Sequence, residues 1–266
     1  MSSGATQRKV AIVTGGAGAG IGHGITAALL QHGWAVLVVD RDDVVGCEFV
    51  WSLREKGEPV YLFAADITAG AVPEAAVATA LEQFGRLDGL VNNAGAGLCK
   101  PIAEISDEDF DRLLDLDFRA VFRFCRAALP ELRRTRGTIV NVGSVHAHAT
   151  IPGYGLYAAI KAGVESFTRG LAVDYGPAGV RANCIHPGMV ESPQNRDLIG
   201  RFAGDVDAWI ANYTATKQLL PYLPTGQDVG QLVAFLMSDA GRTITGQSIA
   251  IDAGSLAMLF ERENRP

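Results

Sequence analysis

An α/β fold, a doubly wound parallel sheet with helices on both faces, is the fold class this sequence predicts, and three observations predict it. The run Lys9–Thr14 is short, apolar and β-branched, as a strand buried on both faces must be. Further runs of this kind alternate with stretches of helical period along the whole chain. The first run opens into Gly15-Gly16-Ala17-Gly18-Ala19-Gly20-Ile21-Gly22, ahead of a helical stretch carrying Ile25, Ala28 and Leu29 on one side and ending at Gly33.

The elements follow in order. A second strand, Ala35–Val39, ends at Asp40, and the stretch Asp42–Gly57 follows. Strands are expected at Val60–Ala65, Gly89–Asn92, Thr138–Gly143, Arg181–His186 and Ser248–Asp252, which makes about seven in all. Helices are expected over Ala71–Phe84, Asp107–Arg134, Tyr157–Tyr175 and Gln227–Ser238. In Asp107–Arg134, Phe110, Leu114, Phe118, Val121, Cys125 and Leu132 trace a buried stripe that Leu113, Phe122 and Leu129 widen. Right-handed crossovers between parallel strands then give a Rossmann-type arrangement, with a crevice at the carboxyl ends of the strands. Asp40, Asp66, Asn93, Ser144 and Pro187 all stand where a strand ends, so the candidate chemistry converges on one edge.

No Pro/Ser-rich linker or repeat interrupts the 266 residues, and a single dinucleotide-binding and catalytic domain over 9–266 is expected, after a flexible stretch at 1–8. A hydrophobic content of 48% against 20% charged residues is ample for one core. The net charge of −6 argues against nucleic acid or an anionic membrane as partner. Without an apolar leader or a membrane-length apolar run, a soluble cytoplasmic protein is expected. Cys47, Cys99, Cys125 and Cys184 show neither metal-ligand nor disulfide-framework spacing, so buried or partly buried free thiols and no metal are expected, with Cys99 near the cleft.

A strand, a glycine loop and a helix together form a site where backbone N–H groups and a helix N-terminus receive a pyrophosphate. The carboxylate of Asp40, at the end of the second strand, suits the adenine ribose hydroxyls and repels a 2′-phosphate, which favours NAD over NADP. Arg41 follows directly and offers a partner for that phosphate, so NADP stays open as the lesser alternative. Tyr157 and Lys161 stand four apart on one helix face, where an ammonium favours the phenolate and suits proton transfer near neutral pH.

The glycine loop, Asp66-Ile67, Asn92-Asn93-Ala94-Gly95, Ser144, Tyr157/Lys161 and Arg181-Ala-Asn-Cys-Ile-His-Pro-Gly188 occur in one order and spacing. In this the chain, from about Lys9 to Gly254, resembles the short-chain dehydrogenase/reductase family. The resemblance implies that Tyr157 is the general acid/base, that Lys161 lowers its pKa and holds the nicotinamide ribose, and that Ser144 orients the substrate oxygen. It also implies that Gly16, Gly20, Ile21, Gly22, Asp66, Ile67, Asn93, Gly95, Pro187, Val190 and Ser192 line the cofactor. In the family, three residues separate the first glycine from the second, whereas four separate Gly15 from Gly20 here. Either Gly16 takes the first role or the loop carries an insertion.

Asp117 stands where the family has an asparagine that holds a water linked to the catalytic lysine. The expectation is a retained relay in which a carboxylate pairs through water with Lys161, pushing the Tyr157 pKa upward. Substrate contacts are expected from Ala96–Pro101, Val145–Gly155 and a mobile lid within 191–225 built on a short helix and loops, with His146, Tyr154 and Glu191 as candidates. The apolar faces of the two long helices, together with the family habit, imply a homotetramer, with a dimer as the alternative. The implied reaction interconverts a secondary alcohol and a ketone. The alternatives are NADPH-dependent reduction of a 3-ketoacyl thioester and a non-catalytic nucleotide sensor.

Overall fold

The computed structural model describes residues 8–41 and 43–259. Residues 1–7 of the expected flexible stretch and the Cys47 side chain lie outside the described residues. The strands are β1 (Val10–Thr14), β2 (Ala35–Asp40), β3 (Val60–Ala64), β4 (Gly89–Asn92), β5 (Thr138–Val142), β6 (Arg181–Pro187) and β7 (Ser248–Ile251). Among the described residues they form one seven-stranded sheet in the order β3-β2-β1-β4-β5-β6-β7, every neighbour parallel. Chain order reverses between β1 and β4, and a crevice opens at the carboxyl ends of such strands.

Every residue of β1, β4 and β5 is buried, which is why these strands carry no polar alternation. Ala11 and Val13 point into one core and Ile12 into the other. The first core is closed by α1 (Ile21–Gln31), α2 (Asp43–Glu55) and α9 (Gly226–Met237), the second by α3 (Val72–Phe84), α5 (Ala120–Thr135) and α6 (Gly155–Tyr175). Val229, Val233 and Leu236 of α9 are fully buried, each contributing about 1.5–3 kcal/mol.

The long helix expected over Asp107–Arg134 is not regular. It runs as α4 (Asp107–Leu114), a turn of π-helix over Asp115–Arg119 in which Ala120 N–H bonds the Asp115 carbonyl, and then α5. The wide turn takes up an extra residue, so positions before and after it no longer share one stripe. Phe110 and Phe122, assigned to the buried face by helical period, are in fact 43% and 40% exposed. Within 191–225 the structure places two helices rather than one, α7 (Pro193–Gly200) and α8 (Val206–Thr216), started by the caps Ser192 and Asp205. Among the described residues no helix is long and apolar enough to cross a membrane.

Candidate active site

The glycine loop is fixed from three strands. Gly15 takes a left-handed φ of 63° and donates its N–H to Val39, while Asn93 Nδ2 holds the Thr14 and Gly15 carbonyls at 3.0 Å each. Gly16 is turned inward, its carbonyl accepting from Thr26 Oγ1 at 2.9 Å. Gly20, at φ 136°, opens α1 with no side-chain cap and no acid in the first turn. His23 and Gly24 N–H already bond the Gly18 and Gly20 carbonyls, so the Ile21 and Gly22 N–H groups are the ones suited to an anion at the positive end of the helix. A Cβ on Gly22 would lie 1.8 Å from the Gly15 carbonyl oxygen, so only glycine lets the helix close on the loop. These features fit a dinucleotide pyrophosphate.

Asp40 braces the same loop. Its Oδ2 accepts from Ala17 N–H at 3.1 Å and its Oδ1 from Arg41 N–H at 2.9 Å. Asp66 accepts the Thr68 N–H and hydroxyl, which hold its carboxyl below the usual range with a smaller contribution from the Arg41 charge. Ile67 beside it is buried. Past β6 and Pro187, Val190 is buried and Ser192 caps α7 by accepting from Asn195 N–H. A Cβ on Gly20 would come within 3.1 Å of Ser192 Cβ, so this corner closes over the glycine loop.

Lys161, on α6, is 4% exposed, and its Nζ donates to the Val142 carbonyl at 3.2 Å. The same Nζ lies 3.1 Å from Asp117 Oδ2 and 5.7 Å from the centroid of the Tyr157 ring. Burial alone pushes the ammonium pKa down, but the Asp117 carboxylate, with Tyr157, more than offsets this and the net direction is up.

Asp117, in the middle of the π turn, is fully buried, and its Oδ1 accepts from Ala96 N–H at 2.9 Å. The expected water-linked pairing is corrected to a direct ion pair, because the wide turn carries the carboxylate up to the lysine. The Oδ2–Nζ contact is short but not aligned as a hydrogen bond. Gly95 roofs the pair, where a Cβ would sit 3.0 Å from Oδ2 and 3.2 Å from Nζ.

Ser144 is buried, and its Oγ accepts from His146 N–H at 3.2 Å, leaving its own hydrogen free to donate. His146 stacks on Tyr154 at 4.7 Å and meets Tyr157 edge-on at 5.6 Å. Burial lowers the His146 pKa, so the ring is neutral at pH 7. Cys99, expected to be at least partly buried, is exposed at a loop beside Gly153, where a Cβ would meet its Sγ at 3.0 Å. Burial, and then the neighbouring Cys99 and Tyr157, raise the Tyr154 hydroxyl pKa. Glu191 does not stand free. It pairs with Arg196 at 3.1 Å, and Arg196 also binds Asp207.

Residues 16–255 match the family described as enoyl-(acyl carrier protein) reductase. Cyclopentanol dehydrogenase of Comamonas sp. (strain NCIMB 9872) is 33% identical over 257 residues, covering 96% of this chain and 99% of that protein. 2-(S)-hydroxypropyl-CoM dehydrogenase 3 of Xanthobacter autotrophicus (strain ATCC BAA-1158 / Py2) is 34% identical, covering 95% and 98%. A dehydrogenase/reductase structure from Sinorhizobium meliloti 1021 superposes with a TM-score of 0.83 at 32% identity, over 93% of this chain and 94% of that one.

The chain belongs to the short-chain dehydrogenase/reductase family. A short-chain dehydrogenase/reductase is an oxidoreductase, and family members use NAD(P). In this member a buried polar network ties the motif residue Asn92 to Asn141 and Thr168, which the motifs do not include. Asn92 Nδ2 donates to Asn141 Oδ1 at 2.8 Å, and Asn141 Nδ2 to Thr168 Oγ1 at 2.8 Å, linking β4, β5 and α6. The signal in the sequence was Asn141 itself, a polar residue inside an otherwise apolar strand that needs a partner when buried.

Proposed function

We propose that this short-chain dehydrogenase/reductase interconverts a secondary alcohol and its ketone, with NAD as preferred cofactor. One observation carries the reading: a buried Lys161 ammonium, anchored by Val142 and Asp117, lies beside the Tyr157 ring on the same helix face. In the oxidative direction Tyr157 takes the proton of the substrate hydroxyl, and Lys161 stabilises the phenolate that does so. Ser144 donates its free hydrogen to the same substrate oxygen and holds it in place. NAD, when bound, supplies the hydride acceptor. The neutral His146 and Tyr154 form an aromatic wall suited to an uncharged, compact substrate, and the likeness to cyclopentanol dehydrogenase supports a cyclic alcohol.

The Asp40 carboxylate at the end of β2 supports NAD. A second reading, NADPH-linked reduction of a 3-ketoacyl thioester, is favoured by the exposure of Arg41 and is separated by titration with the two nucleotides. The exposed Phe110, Phe122 and Val173 on α4, α5 and α6 support a homotetramer built on these helices, which sedimentation velocity checks.

The deciding experiment follows NADH formation over cyclic alcohols, polyols, sugars and hydroxy acids, with Tyr157→Phe alongside. Turnover on one class that the variant loses is the expected result. Nucleotide binding without turnover on any class moves the reading to a nucleotide sensor.

A further inference from the structure

Beside Ser144, three side chains from three elements converge on a point that the alcohol chemistry does not use. His148 follows the short turn after Ser144, Glu165 lies on α6 one turn past Lys161, and His186 stands on β6. Their ligand atoms all lie within 4.8 Å of one another. Glu165 Oε2 is 3.3 Å from His148 Nε2 and 3.5 Å from His186 Nε2. Glu165 Oε1 is engaged by Arg169 at 2.9 Å, which leaves Oε2 directed at the two rings.

The buried ring of His186 makes this cluster unusual. His186 Nδ1 lies 2.8 Å from the Ser144 carbonyl oxygen and 3.2 Å from the Ser144 amide nitrogen, so the Ser144 backbone holds this ring atom in either tautomer. With the ring hydrogen on Nδ1, toward the carbonyl, Nε2 carries a bare lone pair. This atom is fully buried, has no aligned hydrogen-bond partner among the described residues, and faces a carboxylate oxygen. Two acceptors opposed in a buried place repel unless a cation lies between them.

We propose that His148, Glu165 and His186 form a binding site for a divalent cation of the zinc class. Zinc–nitrogen and zinc–oxygen bonds of about 2.0–2.1 Å in a tetrahedron set ligand edges near 3.3–3.4 Å, and the two Glu165 distances match such edges. Two imidazoles and one carboxylate are a donor set that suits zinc. The exposed His148 is free to close the remaining edge and lies on the route from solvent, which leaves the fourth position to water. With a cation on Nε2, a hydrogen bond from His186 Nδ1 to the Ser144 carbonyl is the kind of outer contact that fixes ring tautomer and direction at metal sites. A bound cation thus clamps β6 and α6 to the backbone of Ser144.

The test uses the tag-free full-length protein, stripped with a chelator and then titrated with Zn²⁺ by calorimetry and with Co²⁺ by visible absorption. One ion per chain, tetrahedral-type Co²⁺ bands and a higher Tm with Zn²⁺ are expected. In His148→Ala and Glu165→Gln these should be lost or weakened beyond the ~10–100-fold that outer contacts are worth. His148 is exposed, so its variant should keep the native Tm and nucleotide affinity of the stripped protein. No stoichiometric uptake, or uptake unchanged in His148→Ala, overturns the proposal. A low-field histidine proton in NMR spectra without metal uptake also overturns it, by identifying a hydrogen-bonded His–Glu pair instead.

Discussion

Asp117 Oδ2 lies 3.1 Å from Lys161 Nζ, and both side chains are almost wholly removed from solvent. The lysine beside Tyr157 is therefore half of a near-neutral pair rather than an isolated cation. In Asp117→Asn, burial is left as the dominant influence on Lys161, and its proton comes off at lower pH. Below that pH the ammonium acts on the phenol without a compensating charge. Both changes move the pH profile of alcohol oxidation toward acid, by on the order of one pH unit. Superimposable kcat/KM profiles for the two proteins would show that Asp117 is uncoupled from the proton transfer.

The same pair has a stability signature. Lys161 titrates above its ordinary value of 10.5 in the folded protein, so its contribution is whole below pH 10.5 and is lost as pH rises through the folded pKa. Asp117→Ala leaves a buried ammonium unpaired and should cost about 3–5 kcal/mol at neutral pH. Urea unfolding at pH 7 measures it, and a loss under about 1 kcal/mol would place the pair among weakly coupled surface contacts.

Gly22→Ala and Gly18→Ala form a matched pair. A Cβ on Gly22 meets the Gly15 carbonyl at 1.8 Å, whereas on Gly18 its nearest neighbour is at 3.8 Å. The first variant has to push the loop away from α1, at about 1–3 kcal/mol, and should weaken NAD binding at least ~10-fold. The second should bind NAD as the native protein does. Equal affinities in all three proteins would mean that the loop does not hold the pyrophosphate.

Asp40→Asn separates charge from support. The amide oxygen still accepts Ala17 N–H, so the loop keeps its brace, but the negative charge opposing a 2′-phosphate is gone. The ratio of NADP to NAD affinity should rise about 10-fold, roughly 1.4 kcal/mol. Calorimetric titration with both nucleotides reads it, and an unchanged ratio assigns the discrimination elsewhere.

The strands were legible because β1 and β2 bury both faces and so show unbroken apolar runs, and the glycine loop was legible because its left-handed and close-packed positions call for glycine. Tyr157 and Lys161 were legible because four residues make one helical turn. The π turn at Asp115–Arg119 was not, since one extra residue leaves local hydropathy helical while rotating Phe110 out of the core. The direct contact of Asp117 with Lys161 depends on that rotation. Pairings such as Asn92 with Asn141, or His148 with Glu165 and His186, join separate elements and emerge only once the sheet order brings them together.

Cysteine chemistry offers a check on the cleft wall. Burial pushes the Cys125 and Cys184 thiols up to about 12, so at pH 8 on the order of one in ten thousand is a thiolate. Cys99 is exposed and lies against Gly153 and Tyr154 in the wall assigned to substrate. Iodoacetamide on the native protein should therefore carboxamidomethylate Cys99 well before Cys125 or Cys184, as peptide mapping by mass spectrometry resolves. Because the added group projects beside Tyr154 rather than into the glycine loop, KM for the alcohol should rise while NAD affinity holds. Cys99→Ser should abolish that sensitivity, and an alkylated protein with unaltered KM would remove the loop around Cys99 from the substrate wall.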